Sequence, residues 1–521
     1  MADPIYPPGV SARQFDRAMA EFAGVLGRDW VLTGDSDRDS YADFFSFDAR
    51  RHLAAGALAP ITTEQVREVV RIAGKHRIAL WPISRGKNLG YGAAAPLLSG
   101  SMVLDLSRMK KIEVDVDNGT VLIEPGVGFY DLYDHLQSNN IPLWLSVPGN
   151  SWGSVAGNAL DRGVGYTTYG DHTSRICGLE VVLPDGDLVR TGMGAMSGAP
   201  TWQLYRYGFG PAWDQMFVQS NFGIVTKMGL WLMPEPESLR GFDMEFDKPE
   251  DLEWLVDVVA PLRRSGTLQQ SPSIGNWLRA AAVLTTRKEW HDKPGALPDS
   301  VIDAIRKRFN IGWWSISMRF YGDAEVTAAS EKAALRAFAG RPVLSQKNAQ
   351  WRRGEPREQT AWAGVPLTYA LQNVNWHGGR GGHIGFSPVM PANGRLALEQ
   401  FHRTYSRYQE YGMDYHASFA FGERHLTNVN QVLFDKDNAA MLGQVQKFFR
   451  ALVSDASAQH YGEYRTHIEF MDLVADSYDF NQGALRRLNE RVKNALDPHG
   501  ILAPGKSGIW PAAYARERGN G

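Results

Sequence analysis

The chain has 521 residues, with 55 Lys+Arg against 57 Asp+Glu and a formal net charge of −2. That length exceeds what one hydrophobic core supports, so about two domains are expected. The balanced charge, without blocks of one sign, argues against nucleic acid or an anionic membrane as a partner. A single cysteine, Cys177, excludes an intrachain disulfide and fits a reducing, cytoplasmic setting. Its apolar surroundings, ICGLEVVL, mark it as a small buried residue rather than a nucleophile.

The opening MADPIYPPGV has neither a basic n-region nor an apolar h-region, and no apolar run reaches the length of a membrane span. Residues 11–26 read as an amphipathic helix, with a capping box from Ser11 and Gln14 and apolar positions Phe15, Met19, Phe22 and Leu26. Thr62 with Gln65 opens a second helix through Val66, Val69, Val70 and Ala73. It ends before the strand IALWPI, whose C-terminal end delivers SRGKNLGYGAAAP at residues 84–96. Gly86, Gly90 and Gly92 bare their amides and admit φ > 0, so consecutive N–H groups can converge on one phosphate. A plain turn is the competing reading, and the spacing fits neither G-x-G-x-x-G nor Walker A.

MVLDL, TVLIEPG and IPLWLS read as short strands, with VGFYDLYDHLQSN as an intervening helix. A second glycine-rich stretch, PGNSWGSVAGNALDRGVGYTTYGDH at residues 148–172, and then QSNFGIVTKMG at residues 219–229, favour one extended ligand threaded past several backbone turns. LEVVLPDGDLVRTG is a hairpin signal around Pro184-Asp185-Gly186. GIVTKMGLWLMP is another strand, and PEPES reads as a linker closing an α+β unit.

Beyond the linker the pattern changes. Helices over 249–262, 299–308, 324–338, 396–411 and 439–452 alternate with the strands GFDMEF, WWSISMRFYG, HASFAF and NQVLF. Such alternation without glycine nests predicts a sheet covered by helices on one face. NWHGGRGGHIGFSPV, at residues 375–389, reads as a glycine-rich loop around His383. A helix over 485–496 follows. GILAPGKS, at residues 500–507, satisfies the Walker A expression, but Pro504 lies inside it and no helical period follows, so NTP hydrolysis is rejected.

GYGAAAP, GNALDRGVGYTTYGDH, LEVVLPDGDLVRTGMGA and ILAPGKSGIW resemble the vanillyl-alcohol oxidase and 4-cresol dehydrogenase family of FAD flavoproteins, most of all its eugenol-oxidase and 4-alkylphenol-oxidase type. The resemblance runs from about residue 8 to residue 510. It implies an α+β, two-domain FAD-binding (PCMH-type) fold with a ferredoxin-like cap domain. The FAD-binding domain would comprise residues 1–236 and 460–521, and the cap residues 237–459.

The resemblance also implies site residues. FAD would be held by Ser84, Arg85, Gly86, Lys87, Asn88, Leu89, Gly90 and Tyr91, by Pro148, Gly149, Ser154, Gly157 and Asn158, by Gly223, Ile224 and Val225, and by Lys506. Within the second of these stretches no role is expected for position 153, a glycine. His383 would carry the covalent link to FAD. His377 is a second histidine six residues earlier, and Val374 stands where a 4-cresol dehydrogenase-type tyrosine link would need tyrosine. Tyr91, Tyr464 and Arg465 match the two tyrosines and arginine with which the family grips a phenol oxygen. A phenol has a pKa of about 10, so holding it ionised at neutral pH takes about three units, roughly 4 kcal/mol. A guanidinium and two O–H donors shielded from water can supply that. Hydride then leaves the benzylic carbon for flavin N5, giving a p-quinone methide. Water addition yields an alcohol, proton loss yields a vinylphenol, and O₂ is reduced to hydrogen peroxide.

A dehydrogenase passing electrons to a cytochrome c is the nearest alternative, and a non-catalytic flavin- or nucleotide-binding protein a more distant one. The histidine link favours the oxidase. Vanillyl-alcohol and eugenol oxidases have an aspartate after the proline of the second glycine stretch; Gly149 stands there instead, which tilts the expected outcome toward short 4-alkylphenols and vinyl products. Trp152, Phe386 and Phe421 are expected either as apolar pocket walls or as core packing. No metal-ligand motif appears, and the relatives' assemblies imply a homodimer or larger homo-oligomer.

Overall fold

A computed structural model describes residues 5–48 and 51–518. Local signals set its first layer. Ser11 caps the helix Ala12–Leu26 by accepting from the Gln14 amide, and Thr62 accepts from the Gln65 amide at the head of Thr63–His76. Both helices press an apolar stripe, including Phe15, Phe22, Val66, Val69 and Val70, against Leu58, Leu80, Met102 and Leu104. These belong to a four-stranded sheet ordered Val31–Leu32, Gly56–Leu58, Met102–Asp105, Leu80–Ile83, whose last three strands are parallel. Leu80–Ile83 is therefore an edge strand, and the C-terminal segment completes it. The Leu80 amide donates to the Ile501 carbonyl at 2.6 Å, and the Ala503 amide donates back at 2.8 Å.

A second sheet is antiparallel throughout, ordered Ile112–Asp115, Thr120–Ile123, Ile224–Trp231, Ile176–Val182, Leu188–Arg190. Gly186, at φ 81°, makes the tight turn of its Ile176–Val182 hairpin. The helices Phe129–Ser138 and Val155–Leu160 pack on it through Phe129, Leu132, Leu136, Val155 and Ala159.

The third sheet has eight strands, all from residues 238–435. Its order is Ser345–Arg352, Ser238–Phe246, Trp314–Gly322, Ser273–Asn276, Ala417–Phe421, His425–Asp435, Gly381–Phe386, with Val389–Pro391 added beside His425–Asp435. Side chains alternate between faces. Ile274, Ile316, Met318, Ile384, Phe419, Val432 and Phe434 join the helices Asp251–Arg264, Gly394–Glu410 and Ala439–Ala458 in the largest apolar core. Ser273, Ser315, Ser317, His383, Gly385, Ser418 and Gln431 point the other way, into a cavity shared with the glycine stretches.

The segment GGHIGF, expected as loop, is the strand Gly381–Phe386. Its glycines are required by crowding rather than by turns. A Cβ on Gly381 would run into the Val374 carbonyl, one on Gly382 would lie 2.8 Å from the Phe434 ring, and one on Gly385 would meet the Tyr91 hydroxyl.

Candidate active site

Three glycine-rich segments, the C-terminal turn and the polar face of the eight-stranded sheet enclose one cavity of about 880 Å³. In the first segment Gly86, Gly90 and Gly92 take φ of 60°, 82° and 110°. These values hold the loop in the left-handed region, as a turn of convergent amides requires. The second segment is locked to the first by Ser154, which accepts from the Gly157 amide at 2.9 Å and donates to the Ser84 hydroxyl at 2.6 Å. A Cβ on Gly157 would collide with that same Ser84 oxygen. Asp161, in the second segment, makes a further tie to the first, accepting from Asn88 at 2.8 Å, and gathers the C-terminal turn, accepting from Lys506 at 3.4 Å.

Of the residues expected to hold a dinucleotide, Ser84, Gly86, Lys87, Asn88, Leu89, Tyr91, Pro148, Gly149, Ser154, Gly157, Asn158, Gly223, Ile224, Val225 and Lys506 all line the cavity. Gly153, given no role from the sequence, lines it as well, just ahead of Ser154. Gly90 backs onto the imidazole of His383, where a Cβ would lie 2.7 Å from Nε2. Arg85 does not line it: its guanidinium turns to Asp131 at 2.7 Å and braces the start of the helix Phe129–Ser138. The cradle fits FAD on its own terms, because side chains are excluded where a long ligand would lie. It also leaves the buried Ser220 hydroxyl and His383 Nδ1 without a protein partner.

His383 sits on its strand facing the cavity, 5.0 Å from the Phe45 ring. Burial pulls its pKa down to about 4, so the imidazole is neutral at neutral pH. Across the cavity wall, the Arg465 guanidinium lies 4.1 Å from the Tyr91 ring centroid and 5.6 Å from that of Tyr464. It donates to the Asp161 carbonyl at 3.3 Å. Burial pushes the Tyr464 hydroxyl up to about 12, so it stays a donor. Burial would lower the Arg465 pKa, but Tyr91, Tyr464 and Asp161 outweigh it and keep the cation charged. The neighbouring Glu463 does not neutralise it, since burial holds that carboxyl far above the usual range despite the Ser387 amide at 3.2 Å. Tyr91, Tyr464 and Arg465 thus come together around a half-buried positive charge with which no carboxylate among the described residues forms an ion pair; Tyr91 and Arg465 line the cavity, whereas Tyr464 stands beside the guanidinium without lining it.

Of the three residues expected as pocket walls or as core packing, none lines the cavity, and two are core. Phe386 and Phe421 have the opposite parity to His383, Gly385 and Ser418 on their strands, so they face the helices; Phe386 meets Phe449 edge-on at 6.0 Å. Burying each such ring contributes roughly 1.5–3 kcal/mol to that core. Trp152 is 46% exposed and covers the Lys87 ammonium at 4.9 Å. The cavity's actual cap-side lining includes His416, Ser418, Gln431, Asn373, Tyr369 and Arg279, none anticipated from sequence. The alternation in HASFAF and NQVLF carries the parity signal for the first three. Tyr166 was also missed, although it lies within the second glycine stretch. A Cβ on Gly149 would come 2.9 Å from its hydroxyl, so Tyr166 occupies the space an aspartate there would take.

Residues 54–192 match the FAD binding domain family and residues 318–507 the C-terminal domain of FAD linked oxidases. The 4-cresol dehydrogenase [hydroxylating] flavoprotein subunit of Pseudomonas putida is 38% identical over 97% of this chain and 98% of its own length. Among solved structures, 4-ethylphenol oxidase from Gulosibacter chungangensis in complex with isoeugenol superposes with a TM-score of 0.93 at 35% identity, covering 97% of this chain and 99% of that one. p-Cresol methylhydroxylase with substrate bound gives a TM-score of 0.92 at 36% identity with the same coverage.

Proposed function

This chain belongs to the vanillyl-alcohol oxidase and 4-cresol dehydrogenase family of FAD-dependent oxidoreductases, and from that premise we propose that it oxidises para-alkylphenols at the benzylic carbon. The observation that carries this reading is the charged Arg465 beside Tyr91, both lining the same cavity as the dinucleotide cradle, with no carboxylate among the described residues in an ion pair with the guanidinium and Tyr464 next to it.

FAD would be held along residues 84, 86–91, 148–158 and 223–225 and by Lys506, and would supply a two-electron acceptor for hydride. His383 is its proposed covalent anchor, buried, neutral and with a free ring nitrogen. Arg465 and the two tyrosine hydroxyls bind the substrate oxygen and hold it as phenolate, supplying the roughly 4 kcal/mol that ionisation at neutral pH needs. The negative charge on oxygen pushes electron density toward the para substituent. The polar face of the eight-stranded sheet closes over the ring and excludes bulk water, which strengthens that ion pair.

With glycine at 149, and Asp161 already engaged by Asn88 and Lys506, no carboxylate among the described residues is free at the benzylic position to activate water. The quinone methide therefore leaves by proton loss, as a vinylphenol. Molecular oxygen is the proposed acceptor, and the protein a cytoplasmic homodimer; among the described residues no helix is long and apolar enough to cross a membrane. The likeness to 4-cresol dehydrogenase supports a second reading, in which a cytochrome takes the electrons. An aerobic assay with 4-ethylphenol separates them. Peroxide with 4-vinylphenol is expected; turnover only with an added artificial acceptor would favour the cytochrome-linked enzyme.

A further inference from the structure

The cavity continues past the phenol grip. Its wall follows the eight-stranded sheet sideways: Gly385, against the Tyr91 hydroxyl, pairs with Gln431, and two residues along that strand Val429 pairs with Ser418, Ser418 with Gly275, and Gly275 with Ser315. All face the cavity. From the Gly385 strand to the Gly275 strand is three inter-strand steps, about 14 Å, floored mostly by small side chains.

Arg279 closes the far end. It lies on the short helix Trp277–Ala281 and folds back over Gly275, where a Cβ would lie 3.3 Å from its Cδ and 3.4 Å from Nη1. Its guanidinium donates to the Ser273 hydroxyl at 3.3 Å, and among the described residues no carboxylate pairs with it. The one carboxylate among the described residues lining the cavity is Asp161, already held by Asn88 and Lys506. Between the two ends, His416 is buried, with 3% exposure, and its Nδ1 has no partner. A trough with a cation at each end, whose one carboxylate among the described residues is already held by Asn88 and Lys506, is built for a ligand that carries negative charge at both ends.

We propose that the trough takes a para-alkylphenol whose side chain ends in a carboxylate, with the phenol oxygen at Arg465 and the carboxylate at Arg279. This rests on the phenol-oxidising reading above and narrows its substrate class. Subtracting one hydrogen bond of about 3 Å at each end leaves about 8 Å, the span of a phenol bearing a short acid such as 3-(4-hydroxyphenyl)propionate. In the reaction the benzylic carbon gives a hydride to FAD and the adjacent carbon gives a proton to solvent. The new C=C bond makes 4-hydroxycinnamate, and the carboxylate is untouched.

The test uses the holoenzyme with 4-ethylphenol and with 3-(4-hydroxyphenyl)propionate, comparing wild type, Arg279→Met and Arg279→Lys. Wild type should turn over the acid to 4-hydroxycinnamate. Arg279→Met should lower the ratio of kcat/KM for the acid to that for 4-ethylphenol by roughly ten- to hundredfold, mainly through KM, as loss of a hydrogen bond between charged groups does. Arg279→Lys should restore part of it. Binding of 4-hydroxycinnamate, read from the flavin spectrum, should weaken in parallel. An unchanged ratio in Arg279→Met, or a wild type that oxidises 4-ethylphenol and ignores the acid, overturns the inference while leaving the phenol reading intact. Failure of 4-ethylphenol itself to reduce the flavin overturns both.

Discussion

Arg465→Met removes the cation from the phenol grip while keeping most of the side chain's length. The wild-type site must offset about 4 kcal/mol to hold a phenol of pKa about 10 as its anion at pH 7. Tyr91 and Tyr464 remain in the variant, each contributing about 1 kcal/mol net. Tyr464 still donates, because burial keeps its hydroxyl protonated up to about pH 12. The guanidinium's share is then about 2–3 kcal/mol, which converts to a loss of roughly thirty- to two-hundredfold in kcat/KM for 4-ethylphenol at pH 7. The assay is kcat/KM against pH. The wild type should be nearly flat from neutral pH upward, whereas the variant should recover as pH approaches the phenol's own pKa and the substrate arrives ionised. A variant within threefold of wild type at pH 7, or a loss that high pH leaves unrelieved, would refute the argument.

Four further outcomes are expected. His383→Ala should release FAD on acid denaturation, while wild type keeps the flavin on the peptide containing residue 383; flavin freed from wild type would count against the covalent link. Gly385→Ala should raise KM for 4-ethylphenol at least tenfold with FAD content retained, because its Cβ displaces the Tyr91 hydroxyl; an unaltered KM would place the phenol elsewhere. Gly149→Asp must push the Tyr166 hydroxyl aside, so a stability loss of about 1–3 kcal/mol is expected, with 1-(4-hydroxyphenyl)ethanol rising at the expense of 4-vinylphenol; an unchanged product ratio would show that a carboxylate there does not activate water. Burial pulls His172 down to about 4 and His416 to about 3, from an ordinary 6.5. Their stabilisation is complete above pH 6.5 and is lost as pH falls toward 4. At pH 5 these two imidazoles bind two protons in the unfolded chain that they do not bind in the native one, a contribution of about 4 kcal/mol against folding, opposed by Glu463 and Glu245, whose pKa values burial raises; a fall in the urea midpoint from pH 7.5 to 5 that is no smaller in His172→Asn than in wild type would contradict this.

Elements with local signals were legible: the caps at Ser11 and Thr62, the Pro184-Asp185-Gly186 hairpin and the alternating WWSISMRFYG all form as read. The strand Ser345–Arg352 carried no such signal. It is a largely exposed edge whose sequence, SQKNAQWR, has no buried face to pattern, and only its backbone ladder to Ser238–Phe246 reveals it. The Gly381–Phe386 strand was hidden by its glycines, which serve close packing against Val374 and against Phe434 and Tyr91, the last two distant in sequence. Taking that stretch as loop also hid its parity, which is what decides between pocket wall and core for Phe386. Arg85 sits in the right loop but finds Asp131, a partner brought near only by tertiary structure. Arg279 lies on a segment with no motif at all, His416 only at the head of the alternating HASFAF, and it is the sheet's register that puts them in one trough.

The most direct test of the central claim is anaerobic mixing of the holoprotein with 4-ethylphenol and, separately, with its methyl ether, which has the same alkyl group and cannot ionise. Rapid bleaching of the flavin by the phenol alone is the predicted result. Bleaching by both compounds at similar rates would contradict a phenolate-dependent mechanism, and bleaching by neither would contradict the assigned reaction.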